Sequence, residues 1–204
     1  MEGSLMHDEA RTPGAVAAPL LSRFRSRSEH DVHDIGSLAV AISKIPYGRP
    51  LASTADSVIS SWRGTCSTKH ILLRALAPEV ERSVSIELFH RVYTLTQQDA
   101  SRRWGDLVAA TVPADGLTDV HTYARVTRPE GLPLTVDVTF PLPRWDGITS
   151  LPLACGEGRD QAAGNDPIRS KAALTARWCD AEAREPFIAA LTRVHGAGPA
   201  HSPR

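Results

Sequence analysis

Residues 61–76 read SWRGTCSTKHILLRAL, and the fold turns on how this run divides. Trp62-Arg63-Gly64-Thr65 has the composition of a turn. Thr65 is a good helix N-cap, and beyond it Ile71, Leu72, Ala75 and Leu76 recur at helical spacing. Pro78 is expected to close the helix. Cys66 then falls in the first turn, its sulfur near the positive end of the helix dipole. A thiolate is stabilised there, so the thiol pKa is expected below its ordinary value of about 8.5. Gly64 is expected to leave room for a substrate backbone beside the sulfur. A cysteine mounted in this way is a nucleophile only if the chain also supplies a base and a group to orient it.

Upstream, Ile35, Leu38, Ala39 and Ile42 share one helical face behind Asp34 as N-cap, and Pro46-Tyr47-Gly48 ends that helix. A short helix after Ser53 (Ala55, Val58, Ile59) leads into the Trp62 turn. Residues 1–32 mix Gly, Pro, Ala, Ser and Arg with little apolar periodicity and are expected to be a mobile leader. Residues 33–195 are read as a single domain and 196–204 as a tail.

Downstream of Pro78 the period shortens to that of strands. In residues 83–95, Val84, Ile86, Leu88 and Val92 take one face, and His90, which breaks that face, is expected in or near the sheet edge. Residues 97–116 are polar and irregular, with a small packed loop or helical turn around Trp104, Leu107 and Val108. Two alternating runs come next, at 120–126 and 134–140, separated by the turn signal Arg128-Pro129-Glu130-Gly131. In a hairpin centred on Pro129, His121 stands directly opposite Asp137, Cβ atoms about 5 Å apart. Residues 156–167 read as a loop. Helices over 170–178 and 186–194 are expected to pack on the outside.

Bulk composition narrows the class. The 204 residues hold 23 Lys plus Arg against 23 Asp plus Glu, so no net field steers the chain toward nucleic acid or an anionic membrane. Three cysteines (Cys66, Cys155, Cys179) at wide spacing make neither a disulfide framework nor a four-ligand zinc site. With no apolar run of transmembrane length and an acidic opening where a signal peptide needs positive charge, a cytoplasmic protein is expected, without metal or cofactor.

Cysteine at a helix start, histidine on a strand and an aspartate opposite it form a set with a chemical purpose. The imidazole takes the thiol proton and returns one to the leaving group, while the carboxylate fixes the tautomer and stabilises the charged ring. Gly64-Thr65-Cys66, His121-Thr122-Tyr123 and Asp137-Val138-Thr139, in that order, resemble the motifs of the transglutaminase-like superfamily of papain-like cysteine enzymes. The resemblance spans residues 46–145, about half the chain. It implies an α+β fold, an antiparallel sheet packed against helices, with Cys66 as nucleophile, His121 as base and Asp137 as orienting group. It also implies thiol-dependent acyl transfer or hydrolysis through an acyl-enzyme. The donor would be a peptide, protein or small molecule and the acceptor an amine or water, with Trp62, Gly64 and Tyr123 around the substrate. The chain departs from the pattern at Arg125, where an acidic residue is common, at Leu134, where many members have tryptophan, and in the polar run Ser67-Thr68-Lys69-His70.

Other readings of the same residues stay open. A lone cysteine such as Cys66 is more often a small buried hydrophobe than a nucleophile. His70, one helical turn from Cys66, is a rival base. Cys66 with His70 would supply two metal ligands, lacking two more. Cys155 and Cys179 have no visible partner. A non-catalytic binding module on the same fold and an arylamine N-acetyltransferase-like acyltransferase, which Arg63-Gly64-Thr65-Cys66 loosely resembles, are the alternative functions.

Overall fold

The computed structural model of the protein describes residues 18–197. The element order is α1 (Leu20–Arg25), α2 (Ile35–Ser43), α3 (Ala55–Ser61), α4 (Cys66–Val80), β1 (Ser85–Leu95), α5 (Gln97–Trp104), α6 (Asp106–Ala109), β2 (Leu117–Thr127), β3 (Leu134–Val136), β4 (Gly158–Ala162), α7 (Pro167–Trp178) and α8 (Ala181–His195). The architecture is α+β: one antiparallel sheet in the order β3-β2-β1-β4, with helices packed against it. No helix among the described residues is long and apolar enough to cross a membrane.

Side-chain caps start α2 and α3. The Asp34 carboxylate accepts from the Ser37 N–H at 2.7 Å while Ser37 Oγ accepts from the Asp34 N–H at 3.1 Å, a reciprocal box that opens α2. Thr54 caps α3, which stops at Trp62 in a left-handed conformation (φ 50°) and turns the chain into α4. Pro78 does not close α4: the helix runs on past it to Val80.

The two faces of the central strands serve two cores. Leu88, Ala124 and Val126 point into a cluster with Phe24, Ile35, Leu38, Ile42, Leu72 and Leu76 from α1, α2 and α4. Tyr93, Leu95 and Leu117, of the opposite parity, join Val108, Phe187 and Leu191 from α6 and α8. Each fully buried Leu or Ile contributes about 1.5–3 kcal/mol of transfer free energy, so this burial fixes α4 firmly on the sheet.

Several expectations are corrected. The mobile leader expected over residues 1–32 conflicts with α1, which begins at Leu20, and with the burial of Leu21, Phe24 and Val32. Residues 1–17 and 198–204 of the leader and tail lie outside the described residues. The expected loop 156–167 contains β4, an edge strand paired with β1 from Phe89–Ala162 to Tyr93–Gly158. With β4 outside it, β1 is a central strand, and His90 is fully buried rather than at an edge. Residues 97–116 hold two helices, α5 and α6, and α5 is opened by Thr96 and Asp99 in a capping box.

Candidate active site

Cys66 is the first residue of α4, and the hydroxyl of Thr68 accepts from the Thr65 N–H at 2.8 Å to tighten that first turn. The Cys66 N–H is one of the first-turn donors that no helical carbonyl can reach. Burial pushes the thiol up, but the positive charges of Lys171 and His121 overcome it and hold Cys66 well below the ordinary thiol range. Lys171 Nζ, from α7, donates to Cys66 Sγ at 2.9 Å. The charge of His121 acts on the sulfur as well.

His121 Nε2 donates to Asp137 Oδ2 at 2.7 Å, which leaves Nδ1 as the nitrogen available to Cys66. Asp137 is held from two more sides, Oδ2 accepting from the Ala154 N–H at 2.8 Å and Oδ1 from the Thr139 N–H at 3.0 Å. Burial disfavours the carboxylate, but His121 and these N–H donors keep it ionised far below the usual range. In His121, burial opposes the charge, and Asp137 and Cys66 outweigh it, so the imidazolium persists well above its ordinary pKa. These shifts favour the charged forms, a thiolate and an imidazolium beside a carboxylate.

The three residues meet by a route different from the expected one. Ala124 pairs with Val136, Arg125 with Thr135 and Val126 with Leu134, so the hairpin centres on Glu130 rather than Pro129. The ladder stops at Val136, and Asp137 reaches His121 from beyond the strand rather than from directly across it. A two-residue shift preserves which face each side chain takes, which is why the parity argument survives the wrong centre.

The polar run after Cys66 is an inward-facing brace. Ser67, Thr68, Lys69 and His70 are all buried. His70 Nδ1 donates to the Cys66 carbonyl at 2.6 Å, so Nε2 is the acceptor for the Val138 N–H at 3.1 Å. Burial lowers its pKa and the ring is neutral, so its 3.8 Å approach to Asp137 is not an ion pair. With both nitrogens committed to backbone, His70 is not the base. It couples the cysteine turn to the aspartate segment. Lys69 does the same, donating to the carbonyls of Ser43 (3.1 Å) and Thr139 (2.8 Å).

Lys69 carries a pH signature. Burial pushes its pKa down to about 7, against the pull of Asp137 and Cys66. An unfolded lysine keeps its proton to about pH 10.4. Between those values the unfolded chain binds the extra proton, so this residue makes stability rise as pH is raised from about 7. The melting-temperature difference between wild type and Lys69→Met is therefore expected to grow from pH 7 to pH 9. A constant difference would mean that Lys69 holds its proton throughout.

A second brace fixes α7. His90 Nε2 donates to the Pro167 carbonyl at 3.0 Å, so Nδ1 accepts from Thr122 Oγ1 (3.1 Å), which in turn accepts from Ser67 Oγ (2.9 Å). Burial, then the charge of Lys171, push His90 down to about 4, so this relay is intact at neutral pH. Pro167 opens α7 and Lys171 lies one turn later, so the relay sets where Lys171 stands relative to Cys66.

The residues expected around the substrate sit differently. A Cβ on Gly64 would lie 2.7 Å from Lys69 Cγ, and its backbone pairs with Pro46 and Gly48, so the space at Gly64 holds Lys69. Trp62 packs on Phe24 (5.6 Å between centroids) and under Arg27, and lines a cavity of about 650 Å³ with Lys44 and Pro141, away from Cys66. Tyr123 is 1% exposed and stacks on Phe89 at 5.7 Å. Cys155 and Cys179 are free thiols, and burial pushes both up. Cys155 directly succeeds Ala154, whose N–H holds Asp137. No group of three or more His, Cys, Asp or Glu among the described residues is placed to hold a metal ion.

Lys171, Lys69 and the Ala154 N–H were not legible as site groups. Lys171 is a lone lysine in an amphipathic helix read as an outer one, and nothing in its spacing relates it to Cys66. Comparisons with protein-family models, curated proteins and solved structures find no match to this chain.

Proposed function

We propose that the protein is a thiol-dependent acyltransferase or hydrolase working through a Cys66 acyl-enzyme, on a papain- and transglutaminase-like core. The observation that carries this reading is the 2.7 Å hydrogen bond from His121 to the buried Asp137, with Lys171 on the Cys66 sulfur at 2.9 Å; the charges of Lys171 and His121 lower the thiol pKa, and those of Asp137 and Cys66 raise that of the imidazole. The thiolate adds to an amide, ester or thioester carbonyl, and the electron pair moves onto oxygen. As the C–N, C–O or C–S bond breaks, His121 Nδ1 gives its proton to the leaving group. Water or an amine then attacks the acyl-thioester, His121 takes its proton, and the Cys66 thiolate leaves with the His121 imidazolium restored. Asp137 holds the ring with Nδ1 toward the sulfur through both steps.

Cys66 is only 6% exposed, so the reacting carbonyl arrives on a slender chain. The same burial favours the competing reading, a binding module that keeps the residues without turning over. Incubation with an activated ester, with acetyl-coenzyme A and with cell extract distinguishes the two. A single acyl adduct, mapped by mass to Cys66 and lost in Cys66→Ala, is the expected result. No adduct from any donor, or equal adducts on Cys155 and Cys179, would remove the enzymatic reading. Transfer from acetyl-coenzyme A to an arylamine would point to N-acetyltransferase chemistry.

A further inference from the structure

We infer that Lys171 is an oxyanion-binding catalytic residue, its ammonium following the negative charge from the Cys66 sulfur to the carbonyl oxygen as the acyl-enzyme forms. The inference rests on the acyl chemistry proposed above and adds a charged side-chain donor to the Cys66 N–H.

Lys171 Nζ stands 2.9 Å from Sγ, in the direct hydrogen-bonding position. When the thiolate adds to a carbonyl, sulfur becomes a neutral thioether-like atom and loses its claim on the ammonium. The charge reappears on an oxygen bonded to the carbon that sulfur has just attacked. Carbon–sulfur and carbon–oxygen bonds are short, so that oxygen forms about 3 Å from the sulfur, within reach of the same Nζ after a small rotation of a lysine stem. Among the described residues no other cation contacts the sulfur. Lys69 is committed to two carbonyls, and the Nε2 of His121 is committed to Asp137 while its Nδ1 carries the proton for the leaving group.

The setting favours the transfer. Lys171 is half-buried and is held by α7, whose first turn the Ser67–Thr122–His90–Pro167 relay ties to α4. The ammonium and the sulfur are therefore positioned by one hydrogen-bonded frame before any substrate arrives. A donor fixed in advance in a largely dry site is worth more than the same donor in water. At collapse of the intermediate the C=O bond re-forms and the leaving group departs with the His121 proton. Lys171 neither gains nor loses a proton in the cycle.

Two reactions of the same sulfur separate this role from simple stabilisation of the thiolate. Alkylation by iodoacetamide displaces iodide at a methylene and develops no oxyanion, whereas acylation by an activated ester does. Lys171→Met is expected to slow both by raising the thiol pKa, but to slow acylation by a further ten- to hundredfold at saturating pH, where the thiol is fully ionised. Lys171→Gln, which keeps a neutral N–H donor, is expected to recover part of that extra loss, and it replaces the Met variant should that one fail to fold. Equal slowing of both reactions would overturn the inference, as would an acyl amide found on Lys171, since an amine that captures the acyl group is not an ammonium holding the oxygen. Wild-type protein that alkylates at Cys66 but accepts no acyl group from any donor would instead defeat the acyl-enzyme reading itself, and this inference with it.

Discussion

Asp137→Asn lowers single-turnover acylation of Cys66 by roughly 10³- to 10⁴-fold, with a smaller loss of stability. The size of the effect comes from the three donors that converge on this carboxylate: His121 Nε2–H and the Ala154 N–H on Oδ2, and the Thr139 N–H on Oδ1. An amide offers one oxygen and one NH₂ group. With its oxygen toward His121, the NH₂ faces the Thr139 N–H, donor against donor, and the imidazolium loses the charge that keeps it protonated. With its NH₂ toward His121, the ring must accept at Nε2, and its proton moves to Nδ1, where it can no longer act as the base. Either orientation leaves a buried donor unsatisfied, at a cost of about 1–3 kcal/mol. Acylation with an activated ester and thermal melts of the variant measure the two effects separately. A folded Asp137→Asn protein that acylates at the wild-type rate would reduce the aspartate to a structural role.

The cysteine turn and the strand pattern were legible because each is a local signal. Thr65 before Cys66, Asp34 before Ile35 and the alternation over 120–126 each need only neighbours in sequence to be recognised. The features that escaped notice depend on partners distant in sequence. All five residues of β4, Gly158–Ala162, are exposed, so it shows no buried face, and only its pairing with β1 makes it a strand. In α1 just Leu21 and Phe24 are buried, two positions three apart, too few to show a period. Ser67 to His70 look like a solvated face, yet their polar groups go inward to Thr122, Thr65, Thr139 and Val138. Thr96 and Asp99, three apart, did carry a readable capping signal for α5, hidden by the polarity of the helix itself.

The cations around its sulfur make Cys66 chemically unlike the other thiols, which a comparison at matched burial exposes. Cys66 and Cys155 are 6% and 5% exposed, so access alone should give them similar alkylation rates. Their ionisation differs in sign. Burial pushes both up, but Lys171 and His121 reverse the effect at Cys66, whereas at Cys155 burial prevails. An ordinary thiol is only about 0.3% thiolate at pH 6, and Cys155 is below that, while Cys66 holds a much larger thiolate fraction. The lower basicity of a stabilised thiolate gives back part of the difference, since nucleophilicity falls with pKa at a slope of about 0.4–0.5. The net expectation at pH 6 is labelling of Cys66 faster than Cys155 by about tenfold or more. Between pH 6 and pH 8 the Cys66 rate should climb less steeply than the Cys155 rate, which should rise about tenfold per unit, because the Cys66 pKa is lowered and that of Cys155 is raised. His121→Ala removes one of the two cations and leaves Lys171, so the Cys66 rate profile should shift upward in pH while staying below that of Cys155. Rates for Cys66 and Cys155 that rise together over this range would show that the sulfur is an ordinary buried thiol, and the charges gathered around it would have no chemical consequence.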